Sequence, residues 1–139
     1  MREMTILATF LLVSVPICIG DLRSMRIPNR LITIAAGLVW PVAIAARGPI
    51  AVSAGAAYVA ATLWLSRTAT RGALGGGDVK YGLVIGAAVG PAAAPGVLLA
   101  AALLGGLGVV VRGGRTPFAP ALACSTVGAL LAEVLGGRA

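Results

Sequence analysis

Histidine is absent from the sequence, and acidic residues are scarce, with four Asp and Glu among 139 residues. Without histidine, neither a Ser/His catalytic pair nor a histidine metal site can be formed. The two cysteines, Cys18 and Cys124, lie far apart inside apolar runs, so we interpret each as a small core residue rather than a zinc ligand. We therefore expect no metal and no cofactor.

Charged residues of either sign are also few. They make up 11% of the chain against a hydrophobic fraction of 59%, which excludes an ordinary soluble domain because such a domain needs a charged surface. The net charge of +7 does not indicate nucleic acid, since the basic residues form short clusters between apolar runs and aromatic residues reach only 4%. Composition thus predicts an all-α, polytopic membrane helix bundle that forms a single domain over residues 1–139.

Apolar runs predict about six transmembrane helices. The runs extend over 4–20, 31–46, 50–66, 79–94, 95–111 and 118–135. Several are shorter than the roughly 20 residues of an upright span, which predicts a locally thinned bilayer or flanking arginines that reach the headgroups.

Lysine and arginine positions give the expected orientation, because these residues are enriched in cytoplasmic loops. With the N-terminus outside and six spans, eight of the 11 basic residues fall inside and three fall outside. Those inside are Arg23, Arg26, Arg30, Arg67, Arg71, Lys80, Arg112 and Arg115, and those outside are Arg2, Arg47 and Arg138. We expect the basic residues after the first run to contact lipid headgroups. This topology places Asp21 and Asp78 at the same cytoplasmic face, where their carboxylates can meet.

The other two acidic residues, Glu3 and Glu133, fall near the external ends of the first and last runs, where water or headgroups can solvate them. We interpret both as structural or interfacial. Gly82, Gly86 and Gly90 recur every fourth residue, which predicts a smooth helix face that packs tightly within the chain rather than a dimerisation face. The sequence sets no oligomeric state.

Asp21 ends the first apolar run and begins a polar segment that continues to Asn29. Pro28 fixes one backbone torsion, and Asn29 is expected to cap the helix that follows, so this loop can hold Asp21 in a defined place. The alternative is an aspartate that merely pairs with Arg23 or Arg26.

Three consecutive glycines, of which Gly75 and Gly77 are the outer two, precede Asp78 and Lys80. Glycine permits backbone paths closed to other residues and lets a neighbouring segment approach closely. The alternative is that Asp78 only caps the fourth span at its positive end. A phosphate-binding loop is excluded, because the glycine spacing differs and the aspartate would repel phosphate. Three roles stay open for Lys80: an electrostatic effect on Asp78, a lipid contact or a substrate contact.

Two aspartates that converge in a partly dry site explain both segments together. Like charges held close keep one proton between them. The ionised carboxylate takes a proton from an attacking water molecule, while the protonated partner donates to the peptide carbonyl oxygen. The sequence therefore predicts a membrane aspartic protease that needs neither a metal nor a covalent intermediate.

The segment from Asp21 to Ile27-Pro28-Asn29 and the segment Gly75-Gly76-Gly77-Asp78-Val79-Lys80 resemble the paired motifs of type IV prepilin peptidases. The GxGD element is shared with preflagellin peptidases and, more distantly, with presenilin-type proteases. A third match is Thr116-Pro117-Phe118-Ala119-Pro120, which is similar to the segment that opens the last helix in the family.

The resemblance implies that Asp21 and Asp78 are the catalytic pair and that Gly75, Gly77, Lys80, Pro28 and Asn29 belong to the active-site loops. It implies a substrate as well: the basic leader of a pilin or pseudopilin precursor, cut at the cytoplasmic face of the inner membrane.

The chain departs from the larger family members, which carry a cytoplasmic insertion with paired cysteines and also methylate the new amino terminus. It looks like the short forms associated with Flp/Tad-type pili, so neither methyl transfer nor zinc is expected. Tyr81 and Ala119 stand where other members often have an apolar residue and a glycine.

A small proton-coupled transporter or channel is the main alternative function, because buried aspartates also relay protons. A relay would place acidic groups through the depth of the bundle, whereas the predicted topology puts both aspartates at one face. A structural assembly factor is a third alternative.

Overall fold

The computed structural model of the protein describes residues 1–24, 27–71, 74–112 and 117–136. Within this part the chain forms five helices and no strand. They are α1 (Arg2–Ser24), α2 (Asn29–Arg47), α3 (Pro49–Ala69), α4 (Gly76–Arg112) and α5 (Ala119–Gly136). The prediction of an all-α bundle is confirmed. Four residues used in the sequence analysis, Arg26, Arg115, Thr116 and Arg138, lie outside the described residues.

Each of the five helices is long and apolar enough to cross a membrane, so the chain is a multi-pass membrane protein. Helices α1, α2 and α3 have 23, 19 and 21 residues, because polar residues that flank the apolar runs continue the helices. The helices thus exceed the apolar runs by a few residues at their ends, and the expected bilayer thinning or headgroup contact by flanking arginines stays a prediction.

Helix α4 has 37 residues and is interrupted at Gly90, which has φ 71° and ψ 177°. Glycine adopts this left-handed φ without the steric penalty that a Cβ would bring. A Cβ at Gly90 would lie 3.8 Å from Cδ of Arg47, at the end of α2. Gly105, later in α4, faces the ring of Phe118, just before α5. Phe118 adjoins Ala119, whose N–H contacts Asp21 in the pocket that Asp78 also lines, so Gly105 has returned to the end of the bundle where α4 begins. We infer that the chain reverses at Gly90 and that 76–89 and 91–112 run antiparallel.

This interruption explains why about six runs were predicted and five helices are observed. The predicted division between 94 and 95 was wrong, because Pro91 and Pro95 both lie within the helical part of α4 and only the glycine leaves helical geometry. A proline keeps a φ compatible with a helix, whereas the reversal needs the positive φ that glycine allows.

Helices α3 and α4 pack with their backbones in close contact. A Cβ on Gly86 would collide with the backbone of Gly55, and a Cβ on Gly55 would collide with that of Gly86. Gly82 lies against the side chains of Val59 and Leu63. The predicted glycine face therefore packs within the chain at Gly82 and Gly86, as small residues do between membrane helices.

One end of the bundle holds an ion-pair cluster. Arg47, at the end of α2, donates to Glu3 of α1 at 2.6 Å and also to Glu133 of α5. The Arg47 side chain is 17% exposed, and the two glutamates are about one-third exposed. The cluster joins three helices, which agrees with a structural role for both glutamates. We call this end of the bundle the ion-pair end.

Candidate active site

Asp21 lies in the last turn of α1, where its side chain is buried. Its Oδ2 accepts a hydrogen bond of 3.1 Å from the backbone N–H of Ala119, the first residue of α5. The first N–H groups of a helix have no partner within the helix and carry its positive end. Asp21 therefore receives a donor that suits a carboxylate. Two arginines, Arg23 and Arg26, were considered as ion-pair partners of Asp21. Of these, Arg23 is among the described residues, and it makes no ion pair with Asp21.

Asp78 is the third residue of α4, and its own N–H donates to the carbonyl of Gly75 at 3.2 Å. The side chain is buried, and its Oδ1 has no hydrogen-bond partner within the described part of the chain. A buried polar atom without a partner costs free energy in the folded state. Helix capping alone does not explain this arrangement, because it leaves that oxygen unused.

The glycines before Asp78 each face a neighbour that a side chain would displace. A Cβ at Gly75 would lie 3.0 Å from Oδ2 of Asp78, and one at Gly77 would lie 3.1 Å from Cβ of Ile27. A Cβ at Gly76 would collide with the guanidinium group of Arg67. The glycine run thus makes room for the Asp78 carboxylate. It also lets Arg67 of α3 and Ile27, which precedes α2, pack directly against the glycines.

Asp21 and Asp78 face a common pocket of about 280 Å³, which we call the carboxylate pocket. The two side chains are close enough for their charges to repel each other. The pocket is lined by Asp21, Ile27, Asn29, Gly75, Gly76, Gly77 and Asp78. The end of the bundle that holds the carboxylate pocket is called the carboxylate end. Two residues that are 57 positions apart in sequence are thus brought to one site.

The remaining predicted site residues lie at or beside the pocket rim. Pro28 precedes α2 with extended backbone, and Asn29 is the first residue of α2. The predicted cap by Asn29 was wrong, because α2 has no side-chain cap and the Asn29 Oδ1 instead accepts a hydrogen bond of 3.0 Å from Lys80 Nζ. Lys80 and Pro28 do not line the carboxylate pocket; Lys80 lines an adjoining apolar groove together with Asn29, Trp40 and other residues.

Sequence reasoning missed the contributions of Ala119, Ile27 and Arg67. For Ala119 the sequence indicated a helix start, because proline favours the first turn and Pro120 marks the start of α5, where free N–H groups are found, but it did not indicate Asp21 as their acceptor. Ile27 belongs to a segment that resembles a family motif, but the sequence indicates neither its contact with Gly77 nor that of Arg67 with Gly76, since both depend on how the helices pack.

Within the described residues, no group of three or more Cys, Asp and Glu side chains comes together that could hold a metal ion. The carboxylate pocket offers two carboxylates, and no ion pair to a described lysine or arginine neutralises either one. Two such groups can exchange one proton with water and with a carbonyl oxygen, which is the chemistry of acid–base hydrolysis.

Comparison with known proteins gives an independent result. Residues 5–110 match the model of the type IV leader peptidase family, and this range contains both aspartates and the glycine run. No curated protein and no solved structure matches the chain. The family match covers more than half of the chain and ends before α5. The protein belongs to the type IV leader peptidase family and is a membrane protease.

Proposed function

We propose that the protein is an aspartic endopeptidase that removes the basic leader peptide from type IV pilin-like precursors, with Asp21 and Asp78 as the catalytic pair. The observation that carries this proposal is the carboxylate pocket, in which α1 and α4 each contribute a buried carboxylate and no described cation pairs with either. Buried acidic groups without a compensating charge are costly, so their retention favours a chemical role.

The hydrogen bonds at the pocket favour different roles for the two aspartates. The N–H of Ala119 gives Asp21 a donor, which suits a carboxylate that takes a proton from water. The Oδ1 of Asp78, which meets no hydrogen-bond partner among the described residues, suits a carboxyl group that donates its proton to the peptide carbonyl oxygen. The attack gives a gem-diol and leaves the proton of the water on Asp21. Asp21 then passes this proton to the amide nitrogen while Asp78 takes a proton back from a gem-diol hydroxyl, so the C–N bond breaks, the acid and the amine leave, and both aspartates return to their starting states.

The expected substrate follows from the family and from the charge pattern. A leader peptidase of this family acts on a pilin or pseudopilin precursor, and a basic leader is retained on the cytoplasmic side of the inner membrane. We propose that the N-terminus lies outside and the carboxylate end faces the cytoplasm. The carboxylate end carries described basic residues such as Arg67 and Lys80, which agrees with this orientation.

A proton-coupled transporter is not favoured by the positions of the acidic residues. Asp21 and Asp78 lie at the carboxylate end, and Glu3 and Glu133 lie at the ion-pair end, where Arg47 binds both. The four acidic residues of the chain therefore form no series through the depth of the bundle, which a proton relay would need.

Purified enzyme in detergent, mixed with a pilin precursor that carries a basic leader, tests the proposal. Asp21→Asn and Asp78→Asn should each lower cleavage by at least about 100-fold, because general acid or base catalysis contributes roughly 10²–10⁴-fold. Glu133→Gln, an acidic residue removed at the ion-pair end, is the matched control and should cleave normally. Full cleavage by either Asp→Asn variant would refute the catalytic pair.

The orientation is tested with single cysteines in a variant that has Cys18 and Cys124 replaced by Ala. Thr70→Cys near the carboxylate end should react with an impermeant thiol reagent only from the cytoplasmic side, and Ile50→Cys only from outside. Both residues are exposed. The reverse pattern would invert the proposed topology.

We also propose that the enzyme cleaves without methylating the new amino terminus, as expected of the short Flp/Tad-type form. Mass spectrometry of the mature product, made with S-adenosylmethionine present, should find an unmodified amino terminus. A methylated product would contradict this assignment.

A further inference from the structure

Tyr81 lies on α4 three residues after Asp78, so that both side chains share one face of the helix. Its side chain is fully buried, and its hydroxyl donates a hydrogen bond of 2.8 Å to Oγ of Ser14 in α1. Ser14 is itself 2% exposed. The two buried hydroxyl groups thus satisfy each other across the interface of α1 and α4.

Phe10 adds a second contact between the same helices. Its ring stacks on the ring of Tyr81 with a centroid distance of 6.3 Å and an interplanar angle of 14°. Phe10 lies four residues before Ser14, which is about one helical turn on the same face of α1. Helix α1 therefore holds Tyr81 at two points, through an apolar ring and through a hydrogen bond with a defined direction.

These contacts lie directly beneath the carboxylate pocket. Ser14 precedes Asp21 by seven residues, which is about two turns of α1 on the same face. The backbone of α1 lies closer to α2 and α5 than to α4, so the contacts between α1 and α4 are made by long side chains such as Tyr81. Tyr81 is therefore a principal connection between the two helices that supply Asp21 and Asp78.

We propose that Tyr81 is a positioning residue for the carboxylate pair. Its hydrogen bond to Ser14 sets the rotation and the height of the first segment of α4 relative to α1, and thereby the spacing of the two carboxylates. The inference rests on the proposed function, because it assigns a role within the same site. A misplacement of about 1 Å at reacting groups can cost roughly 100-fold in rate.

A merely structural role for Tyr81 predicts different behaviour. A core tyrosine that only contributes packing would lower thermal stability on mutation and leave the turnover of the folded enzyme unchanged. A positioning residue affects kcat and the pH dependence of cleavage, because the separation of the two carboxylates decides how strongly they share a proton. It leaves KM nearly unchanged, since Tyr81 is buried away from the pocket lining.

The kinetic test uses Tyr81→Phe and Ser14→Ala, which each remove one partner of the hydrogen bond, and the double variant. Each single variant should lower kcat per folded enzyme by about tenfold, with KM within about twofold and the two limbs of the pH profile closer together. The double variant should be no slower than the slower single variant, because both changes remove the same bond. Tyr58→Phe is the matched control, since Tyr58 is exposed on α3, and it should behave as wild type.

Two results would overturn the inference while the proposed function stands. One is a Tyr81→Phe enzyme with the wild-type kcat and pH profile, in an assay in which Asp78→Asn is inactive. The other is a double variant whose fold reduction in kcat equals the product of the two single reductions. This would mean that Tyr81 and Ser14 act independently.

A readout that needs no cleavage separates the inference from the proposed function. Asp21→Cys and Asp78→Cys, combined in a chain with Cys18 and Cys124 replaced by Ala, should be joined by a short bifunctional thiol reagent. Adding Tyr81→Phe should lower the cross-linking yield several-fold, whereas adding Tyr58→Phe should not. An unchanged yield would contradict the positioning role even if no precursor is ever cleaved.

Discussion

The two ends of the bundle each hold two acidic residues, but only one end supplies a described cation to neutralise them. At the ion-pair end, Arg47 binds Glu3 and Glu133 and thereby connects three helices. At the carboxylate end, the described residues supply Asp21 with one backbone donor and the Oδ1 of Asp78 with no partner. Acidic side chains are thus neutralised by an arginine at one end and left without a described cation at the other.

This difference separates a role in stability from a role in chemistry. An acidic group that only holds helices together is best served by an ion pair, because a neighbouring charge offsets the cost of removing it from water. An acidic group that exchanges protons must not be neutralised permanently, and its environment therefore leaves it partly unsatisfied. Under the proposed function the carboxylate end has this second character, which is common at active sites and costs stability.

A cation introduced at the carboxylate end should make this end resemble the ion-pair end and thereby lower cleavage. Ile27 lies against Gly77 and lines the carboxylate pocket, so Ile27→Lys places an ammonium group beside the two aspartates. We expect kcat/KM to fall by about 100-fold, because a nearby cation keeps both carboxylates ionised and leaves no proton for the carbonyl oxygen. Ile27→Met is the matched control. Equal cleavage by the two variants would show that proton sharing is not needed.

Removing the cation at the ion-pair end should affect stability instead. Arg47→Met leaves Glu3 and Glu133 facing each other without compensation, and we expect the free energy of unfolding in detergent to fall by about 1–3 kcal/mol. Arg2→Met is the control at the same end, because Arg2 is exposed and takes part in neither ion pair. Cleavage per folded molecule should stay at the wild-type level. Loss of cleavage at unchanged stability would contradict the division of roles.

The smallest effect is expected at the rim of the carboxylate pocket. Lys80 and Asn29 form an exposed hydrogen bond between α4 and α2, which contributes at most about 0.5–1 kcal/mol. Asn29→Ala and Lys80→Met should each change kcat/KM by less than about fivefold. The kcat/KM of the double variant should be no lower than that of the lower single variant. A much larger loss for Lys80→Met than for Asn29→Ala would reveal a separate role of the lysine in substrate binding.

The parts of the account that could be predicted from sequence are those that follow from local pattern. Apolar runs predicted the helices within a few residues, and the scarcity of charge drew attention to Asp21 and Asp78. The glycine run before Asp78 signalled a close approach, which the positions of Ile27 and Arg67 explain.

The parts that could not be predicted depend on tertiary packing. Every residue except proline has a backbone N–H, so nothing in the residue type of Ala119 indicates that its N–H meets Asp21. Asn29 has a strong preference for helix caps, but its partner is Lys80, which comes from a helix far away in sequence. The bond between Tyr81 and Ser14 is also invisible in either segment alone.

Asp78→Asn shows whether the carboxylate end loses stability in exchange for catalysis. Cleavage of the precursor and the unfolding temperature are measured on the same preparation at neutral pH. We predict that cleavage falls by at least about 100-fold while the unfolding temperature stays equal to wild type or rises, because a neutral amide replaces a buried group that pairs with no described lysine or arginine. A clear drop in unfolding temperature, or cleavage at the wild-type rate, would contradict this exchange.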